Sequence, residues 1–164
     1  MSEISVRKAC ADEFGRILEL KKQIHQLHVQ GRPDLFAPMQ SFEAYQAHAL
    51  DKNMQLFVAE QAEKLLGYAL VCYINRPGGP YMCERNYVHV EEFCVDERFQ
   101  RMGAGSALMD AIRTDARENG YPRIELDVWA FNEGARQFYE AVGMKCFRYF
   151  MEMDTQSPPA NQQK

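Results

Sequence analysis

The sequence predicts an α/β domain in which helices cover both faces of a mixed sheet. Segments with alternating apolar and polar residues interleave with segments whose apolar residues recur at helical spacing. The resulting element order is β-α-α-β-β-β-α-β-α-β. With 164 residues and 46% hydrophobic composition the chain can form one core. We therefore expect a single domain over residues 1–154 and a polar, disordered tail over residues 155–164.

The first segments predict one strand followed by two helices. Ile4 to Lys8 alternates as a strand does, Asp12 can cap a helix that continues to about His28, and Ser41 can cap a second helix. His25 and His28 lie three positions apart, a spacing that could hold a metal. No third ligand matches that spacing, so we interpret them as two polar positions on a helix.

A hairpin and a long loop are expected next. Gln55 to Glu60 and Leu65 to Ile74 have strand patterns, and Gln61 to Lys64 would form the turn between them. Asn75 to Arg85 holds two glycines and two prolines, which predicts a loop. Loops of this length often serve a function, although many are only mobile.

The chain is organised around Val88 to Ser106, where a buried strand runs into a glycine-bearing turn that opens a helix. A helix start has unpaired N–H groups and a partial positive charge, so this turn suits a phosphate or pyrophosphate. A tight connection without a ligand is one alternative. A dinucleotide fingerprint would need a small residue where Leu108 stands, and a P-loop would need a Gly-Lys-Ser/Thr run that the chain lacks.

The remaining elements predict two helices and two strands. A helix is expected from about Gly103 to Glu118, and a strand from Ile124 to Val128. Asn132 can cap a further helix that ends near Gly143, and Lys145 to Met153 predicts a closing strand.

Composition excludes several classes of function. The net charge of -4 and pI near 5.6 argue against nucleic-acid binding, which needs a basic face. No apolar run approaches the ~20 residues of a membrane span, and the N-terminus lacks a signal-peptide core, so we expect a cytoplasmic protein without a membrane partner. The five cysteines are odd in number and form no Cys-x-x-Cys motif, so neither a disulfide framework nor a metal is expected.

Two motifs resemble those of the general N-acetyltransferase (GNAT) superfamily. Gln100-x-x-Gly103-x-Gly105 after an apolar strand is similar to its pyrophosphate loop. The segment from Asn132 through Phe138-Tyr139 to Gly143-Met144 resembles its Asn-x-x-Ala-x-x-Phe-Tyr-x-x-x-Gly-Phe signature, with Met144 in place of phenylalanine. The resemblance covers about Ile4 to Met153. It implies the GNAT fold, with a mixed, mostly antiparallel sheet of six to seven strands flanked by four helices.

The resemblance implies that acetyl-CoA is the co-substrate. The loop would contact its pyrophosphate, the backbone of the central strand would pair with the pantetheine arm where the fourth and fifth strands part, and a helix cap would lie beside the arm. The implied residues are Phe93, Cys94, Val95, Gln100, Arg101, Met102, Gly103, Ala104, Gly105, Ser106, Asn132 and Tyr139.

The resemblance also implies the residues that catalyse transfer. Tyr139 matches the family tyrosine that protonates the departing CoA thiolate; a core aromatic is the alternative. Glu91 and Glu92 are the candidate bases, because the family often places a base near this position. Strand alternation would put Glu91 on the side of Phe93 and Val95, so Glu91 is our choice.

The sequence thus predicts an N-acetyltransferase that moves the acetyl group of acetyl-CoA directly to a primary amine of a small molecule, peptide or protein. Transfer of another acyl group and a non-catalytic acyl-CoA sensor are the alternatives. Acidic residues on the strands, Glu125 and Asp127 among them, favour a cationic acceptor, although solvated charges would look the same. Homodimers are common in the family, so a homodimer is compatible with the sequence.

Overall fold

The computed structural model describes residues 3–39 and 41–156, which form a single sheet with helices on both faces. Its strands are β1 (Ser5–Lys8), β2 (Met54–Gln61), β3 (Lys64–Arg76), β4 (Arg85–Val95) and β5 (Ile124–Leu126). Its α-helices are α1 (Phe14–Gly31), α2 (Phe42–Ala49), α3 (Ala104–Glu118) and α4 (Glu133–Ala141). The strands lie in chain order; β1 to β4 are antiparallel and β5 runs parallel to β4. The predicted fold class is confirmed. No described helix is long and apolar enough to span a membrane.

Two apolar layers hold the sheet between its helices. On one face, Leu108 and Ile112 of α3 pack onto strand residues that include Val71, Val88 and Val90. On the other face, Ile17 and Leu20 of α1 pack onto strand residues that include Val58, Tyr68 and Leu70. The alternation of the strands sends successive side chains to opposite layers, which explains the period-2 pattern in the sequence.

Most local signals in the sequence have the expected structure. Ser41 accepts a hydrogen bond from the Ala44 N–H at 3.3 Å at the start of α2, and Asn132 caps α4 through the Ala135 N–H at 3.2 Å. Gly143 follows α4 with a φ of 95°, which a glycine adopts without strain. The cap predicted at Asp12 is wrong, because Ala11–Glu13 forms a 3-10 turn and α1 begins only at Phe14.

The closing strand predicted over Lys145 to Met153 is also wrong. Among the described residues the sheet has five strands, and this segment runs as irregular chain after α4. Phe147 and Tyr149 are 67% and 84% exposed, and the segment is held by side chains such as the Glu152 ion pair with Arg32 at 2.7 Å. Because β5 has only three residues, its outer edge offers few backbone groups for a further strand. Of the tail expected to be disordered, residues 157–164 lie outside the described residues.

A buried carboxylate joins α1 to the turn that follows β4. Asp96 is fully buried and accepts hydrogen bonds from the Arg98 backbone N–H at 3.0 Å and the Arg98 guanidinium at 2.7 Å. Arg16 of α1 also pairs with it. The hydrogen bonds from Arg98, with those from Arg16, hold the pKa of Asp96 well below its usual range. Ionised Asp96 therefore fixes the start of the glycine-bearing loop relative to α1.

We expect Asp96→Asn to lower the free energy of unfolding by about 2 kcal/mol at pH 7. The lowered pKa means that ionised Asp96 stabilises the fold above its unfolded pKa of about 4, and that this contribution is lost as the pH falls below that value. Urea unfolding of the parent and the variant at pH 7 and pH 3 measures the difference, which should shrink at the lower pH. Glu97→Gln, at the exposed neighbouring acid, is the control. If the difference in unfolding free energy between parent and variant were the same at both pH values, the ionised form of Asp96 would not be what stabilises the fold.

Candidate active site

β4 and β5 stop pairing at the edge of the sheet, and the space beside the unpaired part of β4 is called the cleft below. Their last paired residues are Val90 and Leu126, and β4 continues to Val95 after β5 has ended. The ring of Phe93 on this free part of β4 lies 5.5 Å from that of Phe138 and 6.0 Å from that of Tyr139 on α4. The structure thus brings the predicted backbone site on β4 together with the predicted acid.

The glycine-bearing loop lies between the end of β4 and α3. Arg101 and Gly103 have φ values of 63° and 96°, which turn the chain sharply before α3 begins at Ala104. In the described chain no side chain caps this helix. The first-turn N–H groups of α3 have no intrahelical partner, so they can donate to an anion. This donor set fits the pyrophosphate of CoA.

Gly105 has little room for a larger residue. A Cβ atom placed there would lie 3.2 Å from the Phe138 ring and 3.7 Å from that of Phe93. The loop, β4 and α4 therefore meet at Gly105. The two motifs of the sequence, separate along the chain, are in direct contact in the structure.

Tyr139 is held on α4, whose start is fixed by the Asn132 cap. Burial raises the pKa of Tyr139 to about 12, and the neighbouring Cys94 contributes in the same direction. Its hydroxyl therefore keeps its proton at neutral pH and can act as a proton donor. Burial likewise raises the pKa of Cys94 to about 12, so that side chain is a thiol rather than a nucleophilic thiolate.

A β-bulge changes the expected arrangement of the two candidate bases. Val71 pairs with Val90 while Leu70 pairs with Glu92, so Glu91 is an extra residue without a partner on β3. The assignment of Glu91 to the side of Phe93 and Val95 assumed unbroken alternation, and that assumption is wrong. Glu91 is exposed at the bulge.

Glu92 is mostly buried among hydrogen-bond donors. It pairs with Lys21 of α1 and accepts hydrogen bonds from Tyr45 at 3.0 Å and from Tyr68 at 2.7 Å. The sequence pointed to Glu92 but not to these three partners. The one signal in the sequence for such a partner was Lys21 itself, a charged residue on the apolar stripe of α1 that faces the sheet.

Sequence comparison gives the family of enzymes to which this fold, with its parted strands and glycine-bearing turn, belongs. The chain belongs to the acetyltransferase (GNAT) family, whose model matches residues 21–144. The L-ornithine N5-acetyltransferase NATA1 of Arabidopsis thaliana is 24% identical over 121 residues, which are 74% of this chain and 52% of the relative. The chain therefore spans about half the length of that curated relative.

Solved structures show the same fold. A mutant of the BH1408 protein from Bacillus halodurans superposes with a TM-score of 0.85 at 29% identity, covering 91% of this chain and 98% of that one. AAC(6')-Iy, solved with a bisubstrate analog of CoA and acetylneamine, superposes with a TM-score of 0.73 at 15% identity, covering 95% of this chain and 100% of that one. At 15% identity the likeness concerns the fold alone.

Proposed function

We propose that this protein transfers the acetyl group of acetyl-CoA directly to a primary amine. The observation that supports this most strongly is the parting of β4 and β5 beside Tyr139, with the start of α3 at the same end of the sheet. Acetyl-CoA supplies a thioester, which exchanges its carbon–sulfur bond for a carbon–nitrogen bond to the amine. The products are an acetylated amine and the free thiol of CoA.

In this proposal three parts of the chain hold the co-substrate. The N–H groups of Arg101 to Ser106 donate to the pyrophosphate, with Gln100 at the base of the loop. The backbone of Phe93, Cys94 and Val95 pairs with the pantetheine arm along the free edge of β4. Asn132 lies at the opposite wall of the cleft, where it caps α4. The family's use of acetyl-CoA supports these assignments.

Two residues move protons. Tyr139 gives its hydroxyl proton to the departing sulfur, because a partly buried phenol with a pKa of about 12 is still protonated at pH 7. Glu91 takes the proton of the attacking ammonium through a water molecule. Glu91 is exposed, whereas both carboxylate oxygens of Glu92 already accept from Lys21 or from a tyrosine hydroxyl. Glu92 thus acts by holding α1 and β4 together beside the cleft.

We expect Glu91→Gln and Glu92→Gln to differ in their pH–rate profiles. An amine with a pKa near 10 is almost wholly protonated at pH 7, so Glu91→Gln should lower the rate near neutral pH, and higher pH should restore it. Glu92→Gln loses the partner of Lys21 and should lower the rate similarly at every pH. If only Glu92→Gln lost activity that higher pH restores, Glu92 would be the base and Glu91 would not. If neither variant showed a loss that higher pH restores, solvent or another group would deprotonate the amine.

The proposal as a whole is tested by two measurements on the purified protein. Acetyl-CoA should raise the melting temperature, as a ligand specific to the folded state does. Thiol release should then depend on the amine added, across a panel of diamines, aminoglycosides, lysine-containing peptides and monoamines. A thermal shift without thiol release for any amine would instead indicate a non-catalytic acyl-CoA sensor. Thiol release only with a different acyl-CoA would show that the protein transfers an acyl group other than acetyl.

A further inference from the structure

Five rings from three separate segments form an aromatic cluster, which lies outside the residues assigned above. Its members are His25 and His28 on α1, Phe36 in the α1–α2 connection, and Trp129 and Phe131 between β5 and α4. The Phe36 ring stacks on His28 at 5.0 Å and meets Trp129 edge-on at 5.2 Å. Trp129 and Phe131 are nearly parallel, 6.1 Å apart.

Part of the cluster lies on the chain that follows β5, after β5 has stopped pairing with β4. Trp129 and Phe131 follow β5 directly, at the point where it has parted from β4. The Asn132 N–H donates to the Trp129 carbonyl at 2.8 Å, so the turn that presents the two rings also caps the helix of Tyr139. One short segment thereby holds both Trp129 and Phe131 of the aromatic cluster and the helix of the proposed acid.

Helix α1 connects the cluster to Glu92. Lys21, His25 and His28 lie at helical spacing on one stripe of α1, and Lys21 pairs with Glu92 on β4. At about 1.5 Å of rise per residue, His28 lies roughly 10 Å along α1 from Lys21. The cluster is thus roughly 10 Å, about the length of a short aliphatic chain, from the Lys21–Glu92 pair.

The aromatic cluster contains a half-buried histidine and a partly exposed indole ring. Burial lowers the pKa of the half-buried His28, with Lys21 and His25 contributing, so its ring is neutral at pH 7. Phe131 is a fixed support, since a Cβ on Gly31 would lie 2.5 Å from its ring. Trp129 is 37% exposed, and an indole face attracts a cation more strongly than the other aromatic side chains do.

We infer that the aromatic cluster binds the second, non-reacting ammonium group of a short aliphatic diamine acceptor, with Trp129 as its main contact. This inference rests on the proposed function and names its acceptor class. The reacting amine then lies toward Glu91 and Tyr139, and the alkyl chain spans the distance to Trp129. The exposed carboxylate of Glu91 adds negative charge on β4.

The test compares an alkyl diamine with the monoamine of the same chain length. Steady-state kinetics should show that the parent prefers the diamine. Trp129→Leu keeps an apolar side chain but removes the ring face, so it should raise KM for the diamine about tenfold. KM for the monoamine and for acetyl-CoA should stay unchanged. Trp129→Phe should retain most of the preference, and Val128→Ala, at the exposed neighbour, is the matched control.

Each outcome decides the inference. If Trp129→Leu raised KM equally for the diamine and the monoamine, the inference would be overturned, because the aromatic cluster would then serve only packing. Turnover by the parent without a diamine preference would overturn the inference alone, whereas no turnover with any amine would overturn the proposed function and this inference with it. If Trp129→Leu loses the acetyl-CoA thermal shift, Phe36→Leu is measured in its place, with the same selective loss expected.

Discussion

Tyr139→Phe should lower kcat about 10²-fold, which is the low end for a general acid, while acetyl-CoA still raises the melting temperature. Phenylalanine keeps the ring contact with Phe93 at 6.0 Å and removes only the hydroxyl. Binding and packing should therefore survive, and protonation of the departing sulfur should not. Rate measurements and thermal shifts on the same preparations separate the two effects. Tyr81→Phe, at an almost fully exposed tyrosine, is the matched control.

The pH dependence gives a second sign of this role. Because the pKa of Tyr139 is raised to about 12, its hydroxyl stays protonated through the range in which amines lose their protons. The parent rate should thus rise with pH up to about 10, without a descending limb from loss of the acid. An unchanged kcat in Tyr139→Phe with a good acceptor would show that Tyr139 only packs as an aromatic core residue and is not the acid.

The second large effect is expected at the loop, where Gly105→Val should abolish the thermal shift by acetyl-CoA. A Cβ alone would lie 3.2 Å from the Phe138 ring, and the valine methyl groups would enter the space where the loop, β4 and α4 meet. Gly103→Val should have the same effect for a different reason, since a φ of 96° strains any residue with a β-branched side chain. Gly134→Val is the control, because space around Gly134 is open. An undiminished shift in both loop variants would remove the loop from the site.

The local signals in the sequence predicted much of the fold. Ser41 and Asn132 cap helices because short polar side chains satisfy first-turn N–H groups wherever a helix begins. The Gln100–Gly105 loop and the Asn132–Gly143 segment were predicted to belong to one site, and their contact at Gly105 and Phe138 agrees with that. The caps and the two motifs each depend on residues close together in the chain, whereas only the family resemblance linked one motif to the other.

The features that the sequence missed depend on distant partners. The bulge at Glu91 arises from the register between β3 and β4, and a run such as Val-Glu-Glu-Phe is compatible with either a regular or a bulged strand. Lys21 and Glu92 are 71 positions apart, so no periodicity indicates their pairing. The rings of the aromatic cluster come from three segments and meet only after folding. Lys145 to Met153 predicted a strand, but a strand also needs an edge to pair with.

Direct acetyl transfer to an amine should be visible in the products of a single incubation. The purified protein is given acetyl-CoA with an isotopically labelled acetyl group and an alkyl diamine, and free thiol and labelled acetylamine are quantified together. Direct transfer should give one acetylated amine for each thiol released, no labelled protein, and a rate lowered about 10²-fold in Tyr139→Phe. Thiol release without acetylamine, or label retained on the protein as an intermediate, would contradict it.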